Sequence, residues 1–255
     1  MKTNTFLFFV AALLVADAAT AQSDFRRFVT CPIYRDTDAG RKSGCWLGTQ
    51  VETSERFDVS NSPDKPLAGR LMLVEGVPSN EKDICGGVVL QPVRISVLQE
   101  PCPEVIIPAE GWPSKPSVLP PLVIAPLSVP RKLPQPPFEE KQFHLIFDYD
   151  SDFLVYQSVE LTIENATLLA QASKAKRVIV TGYADTQGVE ASGRVYKETL
   201  ALAKARAEMT AEALRRMGVR ADTLQVKWQG NPAPLAHEAP MHEPSKRRVT
   251  VTVRP

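Results

Sequence analysis

The C-terminal half of the chain alternates between short strand-like runs and longer segments in which apolar residues recur at helical spacing. Residues 248–253 alternate strictly between valine and polar side chains, a pattern typical of a strand with one buried face. Residues 195–217 are rich in alanine and end at Gly218, and glycine is common directly after a helix. The full pattern predicts, in order, a strand at 143–149, a helix at 155–175, a strand at 177–181, a helix at 195–217, and strands at 224–228 and 248–253.

This order of elements, βαβαββ, limits the folds available to residues 141–255. The order fits a two-layer arrangement in which both helices pack on one face of a mixed sheet. We therefore predict an α+β domain, a two-layer sandwich with the helices on one face of a mixed sheet.

Residues 22–102 have a different texture, with short strand-like runs and no helical periodicity. Two of these runs, 70–74 and 87–90, lie among glycine, proline, asparagine and aspartate residues that favour turns. All four cysteines of the chain fall in this segment. We predict a small, mostly β domain stabilised by disulfides.

The pairing of the cysteines is open at this stage, since four cysteines allow three connectivities. We favour the nearest-neighbour arrangement, in which Cys31 pairs with Cys45 and Cys85 with Cys102. A zinc site is the alternative, but no two cysteines have the C-x2-C spacing and the first histidine is His144. We therefore expect no metal.

The first 21 residues have the pattern of a cleaved secretory signal peptide. Lys2 supplies the positive charge, residues 6–15 are apolar, and residues 19–21 are small. We expect cleavage after Ala21 and export to the periplasm, in association with the outer membrane. Disulfides persist in that compartment.

Residues 103–140 are predicted to be a proline-rich linker. Twelve prolines occur between Pro101 and Pro137, and proline both fixes φ and removes a backbone donor. An extended segment of this length could reach on the order of 100 Å in polyproline II geometry. It would allow the N-terminal unit to meet an envelope or outer-membrane protein.

Charge and motifs exclude several classes of function. The formal net charge is +1, whereas a nucleic-acid partner would require a clustered basic face. The chain contains no Gly-x-Ser-x-Gly nucleophile motif, and its cysteines lie in a different unit from its histidines, so no cysteine–histidine pair is expected. These observations favour a binding protein that is not an enzyme and uses no cofactor.

One acid and one base stand out in the C-terminal half. Residues 178–181 form a β-branched strand that runs through Gly182 to Asp185, and the following helix carries Arg206. Each has an ordinary explanation when taken alone, since Asp185 could cap a turn and Arg206 could lie in solvent. A carboxylate and a guanidinium held side by side could instead bind a zwitterion.

Four stretches of the C-terminal half resemble the peptidoglycan-binding OmpA-like C-terminal domain family. One resembles the family's opening strand and turn, another its Gly-His-Thr-Asp signature, a third its Leu-Ser-x-x-Arg-Ala helix, and the last its Asn-Arg-Arg-Val strand. They occur in the family's order over residues 143–255, a little under half of the chain. In this sequence they are 147–151 (FDYDS), 182–185 (GYAD), 202–207 (LAKARA) and 246–249 (KRRV).

The resemblance implies a ligand and the residues that hold it. The family binds the diaminopimelate of the peptidoglycan stem peptide, so Asp185 would take its ammonium and Arg206 its carboxylate. The remaining peptidoglycan-binding candidates are the residues that stand at or near the family's site. They are Tyr183, Ala184, Thr199 and Tyr149, the last as a wall of the groove.

The chain also departs from the family's pattern. Tyr183 and Ala184 replace histidine and threonine, Thr199 replaces asparagine, and Ala203 replaces serine. The segment between Asp185 and the arginine helix is longer than usual. The sequence therefore predicts a cell-envelope protein that binds peptidoglycan without a covalent bond, with a protein-interaction adapter that has weakened or lost wall binding as the alternative.

Overall fold

The computed structural model describes residues 25–37, 44–109, 111–113, 131–154, 156–238 and 241–255. The predicted signal peptide and residues 114–130 of the predicted linker lie outside these ranges. Over the described part of the chain, no helix combines the length and the apolar character needed to cross a membrane.

The N-terminal unit is a β-sheet, as predicted from its strand-like runs. Its seven strands are arranged in the order β1-β5-β6-β4-β3-β2-β7. The last strand lies inside the segment predicted as a linker and pairs in parallel with β2, so the unit continues past the boundary predicted at residue 102. The strands are β1 (Arg26–Thr30), β2 (Ile33–Arg35), β3 (Cys45–Gln50), β4 (Glu55–Asp58), β5 (Arg70–Pro78), β6 (Val88–Pro101) and β7 (Val105–Ile107).

The predicted disulfide pairing is wrong. Cys45 is bonded to Cys85, and both side chains are fully buried. Cys45 begins β3, which pairs with β4, while β4 pairs with β6, and Cys85 lies just before β6. Pairing between strands therefore brings together two cysteines that are 40 residues apart. Asp58 lies near both sulfurs, but the sulfurs are bonded to each other and leave no thiolate for a metal.

The C-terminal unit has the predicted two-layer architecture. Its four-stranded sheet has the order β12-β9-β13-β8, with β12 and β9 parallel and β13 antiparallel to both of its neighbours. Both helices contact β13. The sequence prediction of an α+β sandwich is confirmed. The elements are β8 (Lys141–Ile146), α1 (Tyr156–Ala172), β9 (Arg177–Ala184), α2 (Leu200–Arg216), β12 (Leu224–Gly230) and β13 (Arg248–Arg254).

The alternating pattern of β13 explains how the sheet packs against the helices. Val249, Val251 and Val253 are completely buried and belong to one apolar cluster with Ile163 of α1 and Leu214 of α2. Each fully buried aliphatic side chain contributes about 1.5–3 kcal/mol to stability. This core places the C-terminal end of β9 beside α2, where the candidate residues lie.

A short hairpin explains the extra length between Asp185 and the arginine helix. Strands β10 (Val189–Ala191) and β11 (Arg194–Tyr196) pair in antiparallel fashion, and α2 begins only at Leu200. The sequence prediction started this helix at residue 195 and missed the hairpin. Two strands of three residues each are too short to show periodicity.

The hairpin packs against the N-terminal sheet, so the two units are in direct contact. The proline-rich pattern of residues 103–140 predicts instead an extended tether between the two units. The Ser192 hydroxyl at the hairpin's turn accepts a hydrogen bond from the Val29 N–H at 3.1 Å. The apolar cluster shared by the sheet and the hairpin consists of Val29, Leu73, Leu98, Val189, Ala191 and Tyr196.

A buried ion pair lies at the centre of the same contact. Arg247, directly before β13, is paired with Glu75 of β5, and both side chains are 1% exposed. Arg27 donates a third hydrogen bond to Glu75, at 3.0 Å, in addition to the two from Arg247. Burial alone would raise the pKa of Glu75, but the charges and hydrogen bonds of Arg247 and Arg27 outweigh it, and the net effect lowers that pKa.

Replacing Glu75 with glutamine should destabilise the protein by about 3–5 kcal/mol, because it leaves the Arg247 charge buried without a partner. Urea unfolding of the full chain measures the loss. Glu100→Gln is the matched control, since Glu100 also bonds across the units, to Arg194 at 3.2 Å, but both side chains are exposed. Its loss should stay below about 1 kcal/mol. Equal losses for the two variants would contradict the assignment.

The cost of Glu75→Gln should also depend on pH. The folded-state pKa of Glu75 is lowered, so its contribution is complete above the unfolded-state pKa and disappears as the pH falls through the folded-state value. Unfolding curves recorded from neutral to acidic pH should therefore show the wild type and Glu75→Gln converging. A difference that grows toward acidic pH would contradict this sign.

Candidate functional site

The candidate site lies where β9 ends and α2 passes behind it. Gly182 permits the close approach, because a Cβ atom built there would lie 1.9 Å from the Ala203 carbonyl oxygen and 3.0 Å from the Ala207 Cβ. Ala203 and Ala207 are themselves completely buried. Small residues on both elements thus bring the α2 backbone against the strand, with Arg206 next to the strand's end.

Arg206 is completely buried, and all of its donors are used inside the protein. Its Nη1 and Nη2 groups donate to the two carboxylate oxygens of Glu198 at 2.8 and 2.6 Å. Three backbone carbonyls accept the rest. They belong to Ser151 (2.7 Å), Tyr183 (3.0 Å) and Asp148 (3.0 Å).

A guanidinium carries five N–H donors, and Arg206 makes five hydrogen bonds. The expectation that Arg206 is free to take a ligand carboxylate is therefore wrong for this conformation. The ordinary alternative, a guanidinium in solvent, is wrong as well. Arg206 instead connects α2 to the end of β9 and to the turn after β8.

Glu198, the partner of Arg206, is the site residue that no sequence pattern predicted. It lies eight residues before Arg206, outside the helix, and neither side chain has any exposed surface. Its position directly before Thr199, which caps α2, was a usable signal. A carboxylate just before a helix can pair with a basic residue two turns further along that helix.

Asp185 occupies the first position after β9 and is 2% exposed. Its Oδ1 accepts the Gly188 N–H at 3.0 Å, so it does cap the following turn. Its backbone N–H donates to Glu198 at 3.0 Å. Its Oδ2 is buried and has no hydrogen-bond partner among the described residues, and such an oxygen requires an explanation because a missing bond is costly.

Two more candidates have structural contacts that differ from the predicted ones. Ala184 is completely buried, so its methyl group cannot contact a ligand, and that prediction is wrong. Thr199 is exposed and forms the N-terminal cap of α2, with its hydroxyl accepting the Leu202 N–H at 3.2 Å. Such a cap contributes about 1 kcal/mol to stability.

The two tyrosine candidates lie at different places. Tyr183 is half-buried beneath the Arg248 guanidinium, which lies 4.5 Å from its ring centre. The Tyr149 hydroxyl donates to the Lys197 carbonyl at 3.1 Å, and its ring meets Tyr196 edge-on at 5.5 Å.

Tyr149 therefore lies at the contact between the two units. Burial raises its pKa, and the nearby Asp150 and Glu198 add to that shift. The ring lines a cavity of about 310 Å³ together with Leu98 of the N-terminal sheet. Tyr149 lines a cavity between the two units, whereas its predicted role was to form a wall of the peptidoglycan groove.

The chemistry of the site follows from its charges. Arg206 and Glu198 neutralise each other in the interior, whereas Asp185 keeps one unpaired oxygen. An unpaired carboxylate oxygen in such a place accepts a hydrogen bond from a positively charged group more strongly than from a neutral one. The site thus favours an ammonium over a carboxylate.

Comparison with known proteins finds a family match within the C-terminal unit. The model of the OmpA family matches residues 146–248. No curated protein matches the chain.

Solved structures similar to part of this chain include the following three. The OmpA-like domain of FopA1 from Francisella tularensis is 20% identical, covering 46% of this chain and 73% of that one (TM-score 0.37). The cell wall anchor of the T6SS from Pseudomonas aeruginosa is 21% identical, covering 45% and 81% (0.35). The peptidoglycan-associated lipoprotein from Burkholderia pseudomallei is 22% identical, covering 44% and 90% (0.34).

Replacing Gly182 with alanine should separate α2 from β9. The new methyl group would overlap the Ala203 backbone, and overpacking of this kind costs roughly 3 kcal/mol. Gly193→Ala, in the turn of the hairpin, is the control. It has a φ of +71° and open space around its Cβ position, so only backbone strain of about 1 kcal/mol is expected. Chemical unfolding of both variants measures the loss of stability. Equal losses for the two variants would contradict the assignment of a close helix–strand contact at Gly182.

Proposed function

Because residues 146–248 are an OmpA-like domain, we propose that this chain attaches noncovalently to peptidoglycan in the cell envelope. The family match is the observation that carries the proposal. The order of the four motifs over residues 143–255 supports it. The N-terminal sheet would be held at the wall as part of the same body, since it contacts the domain through the hairpin and the Glu75–Arg247 pair.

The proposed ligand group is the ammonium of diaminopimelate in the stem peptide. Asp185 supplies the acceptor, because its Oδ2 is the one oxygen of this carboxylate without a partner among the described residues. A hydrogen bond from a charged donor to such an oxygen contributes about 1.5–3 kcal/mol. Arg206 supports the Asp185 turn through Glu198, which accepts the Asp185 N–H.

The second candidate is a protein-interaction adapter that keeps the fold and has lost the wall ligand. The observation that favours it is the saturated guanidinium of Arg206, with five hydrogen bonds inside the chain. In that case the domain would present the N-terminal sheet to an envelope protein without touching peptidoglycan.

Sedimentation with purified sacculi that contain diaminopimelate distinguishes the two functions. We expect the wild type to sediment with the sacculi and free diaminopimelate to release it. Asp185→Asn keeps an oxygen for the Gly188 N–H but removes the charge, so binding should fall roughly tenfold, the equivalent of one charged hydrogen bond.

Asp222→Asn is the control, because it removes an exposed carboxylate paired with Arg220 in the turn that follows α2 and should bind as the wild type does. Circular dichroism establishes that each variant is folded. A wild type that stays in the supernatant supports the adapter. A wild type that sediments no better than Asp185→Asn shows that Asp185 does not hold the ligand.

A further inference from the structure

The Glu198 carboxylate lies at a point where four hydrogen-bond donors converge. Two are the Nη groups of Arg206, at 2.8 and 2.6 Å. The other two are backbone N–H groups, from Asp185 at 3.0 Å and from Asp150 at 3.1 Å. A bidentate guanidinium together with two backbone amides is a set of donors that binds carboxylates well.

These donors come from three different parts of the fold. Arg206 is on α2, Asp185 follows β9, and Asp150 is in the turn after β8. Three further hydrogen bonds hold the guanidinium, to the carbonyls of Ser151, Tyr183 and Asp148. The donor set is thus built by the domain, whereas the carboxylate that fills it belongs to the short segment between the hairpin and α2.

We propose that Glu198 is a built-in ligand that occupies the carboxylate position of the domain's binding site. This inference rests on the proposed function for its biological meaning. In this arrangement, Glu198 determines which part of a ligand the site accepts. With Glu198 in place, Arg206 takes no carboxylate from solution, and a ligand engages Asp185 through a positively charged group.

Shortening the Glu198 side chain should therefore leave the carboxylate position empty. Removing the Glu198 carboxylate leaves a buried guanidinium without its counterion and two backbone N–H groups without an acceptor, which is strongly unfavourable. A small carboxylate from solution can restore all four hydrogen bonds. Glu198→Ala is therefore expected to bind acetate at this position, and the wild type is not.

Thermal unfolding of the full chain in acetate and in chloride at equal ionic strength tests the inference. We expect Glu198→Ala to melt well below the wild type in chloride and to gain about 4 °C at saturating acetate. The wild type should show no saturable gain. Glu198→Gln is the matched control, since it fills the space without the charge and should also show none.

An equal response of Glu198→Ala and Glu198→Gln to acetate would overturn the proposal. If Glu198→Ala is insoluble in chloride but folds in acetate, the proposal is supported. If it is insoluble in both, Glu198→Ser takes its place under the same criteria, because its side chain is also too short to fill the carboxylate position and its hydroxyl makes the emptied space more polar. The assay contains no peptidoglycan, so its outcome is independent of whether the wild type binds sacculi.

A different observation concerns the two remaining cysteines. Strands β2 and β7 run in parallel, with Ile33 opposite Val105. Cys31 lies two residues before Ile33 and Cys102 three residues before Val105, so the two chains enter the strands side by side. The Cys102 N–H is held by the Gly69 carbonyl at 3.0 Å. Burial and the hydrogen-bonded Cys31 thiol raise the pKa of Cys102 to about 12.

We infer that Cys31 and Cys102 form a second disulfide in the N-terminal unit. The two thiols would release two protons and two electrons to a disulfide oxidant, which is reduced to two thiols as the new S–S bond forms. The bond would join the chain where it leaves β1 to the chain where it leaves β6.

Mass spectrometry of the full chain tests this inference. After incubation with oxidised glutathione, the protein is unfolded in denaturant with iodoacetamide and no reductant. We expect no alkylation, and a digest containing the peptide pair that joins Cys31 to Cys102. Cys31→Ser should gain a single alkyl group or glutathione adduct, at Cys102. Two alkyl groups on the wild type, or a bond from Cys31 to any other cysteine, would overturn the inference.

Discussion

The buried pair of Arg206 and Glu198 is the interaction on which the candidate site depends. It joins α2 to the end of β9, to the turn after β8 and to the segment before the helix, because the five donors of one guanidinium reach groups in all of these places. Two charges without exposed surface are stable together only when every hydrogen bond is made. The pair therefore fixes the geometry of the site while engaging the Arg206 guanidinium inside the protein.

The contact between the two units follows the same physical principle. The Glu75–Arg247 pair is buried almost as completely as the Arg206–Glu198 pair, and apolar side chains of the hairpin and the N-terminal sheet form a further part of the contact. The insertion of the hairpin thus has two effects. It places Glu198 next to Arg206, and it provides the surface against which the N-terminal sheet packs, so that the C-terminal domain and the sheet are in direct contact.

Much of the fold was predictable because local sequence patterns specify it. The alternation of β13, the alanine-rich helix that ends at Gly218, and the order of elements led to the correct two-layer sandwich. Gly182 and Asp185 were identified from the end of a strand. The hairpin was missed because its strands are only three residues long, and the disulfide was mispaired because Cys45 and Cys85 meet through the pairing of β3, β4 and β6.

The sequence by itself determined the architecture of the C-terminal domain, its resemblance to the OmpA family and the positions of Asp185 and Arg206, because periodicity and motif order are local properties of the chain. Only the tertiary structure decided what these residues do. Burial and hydrogen bonding depend on groups far apart in sequence, so no pattern showed that Glu198 fills the donors of Arg206, that Ala184 faces the core, or that Glu75 meets Arg247 across 172 residues.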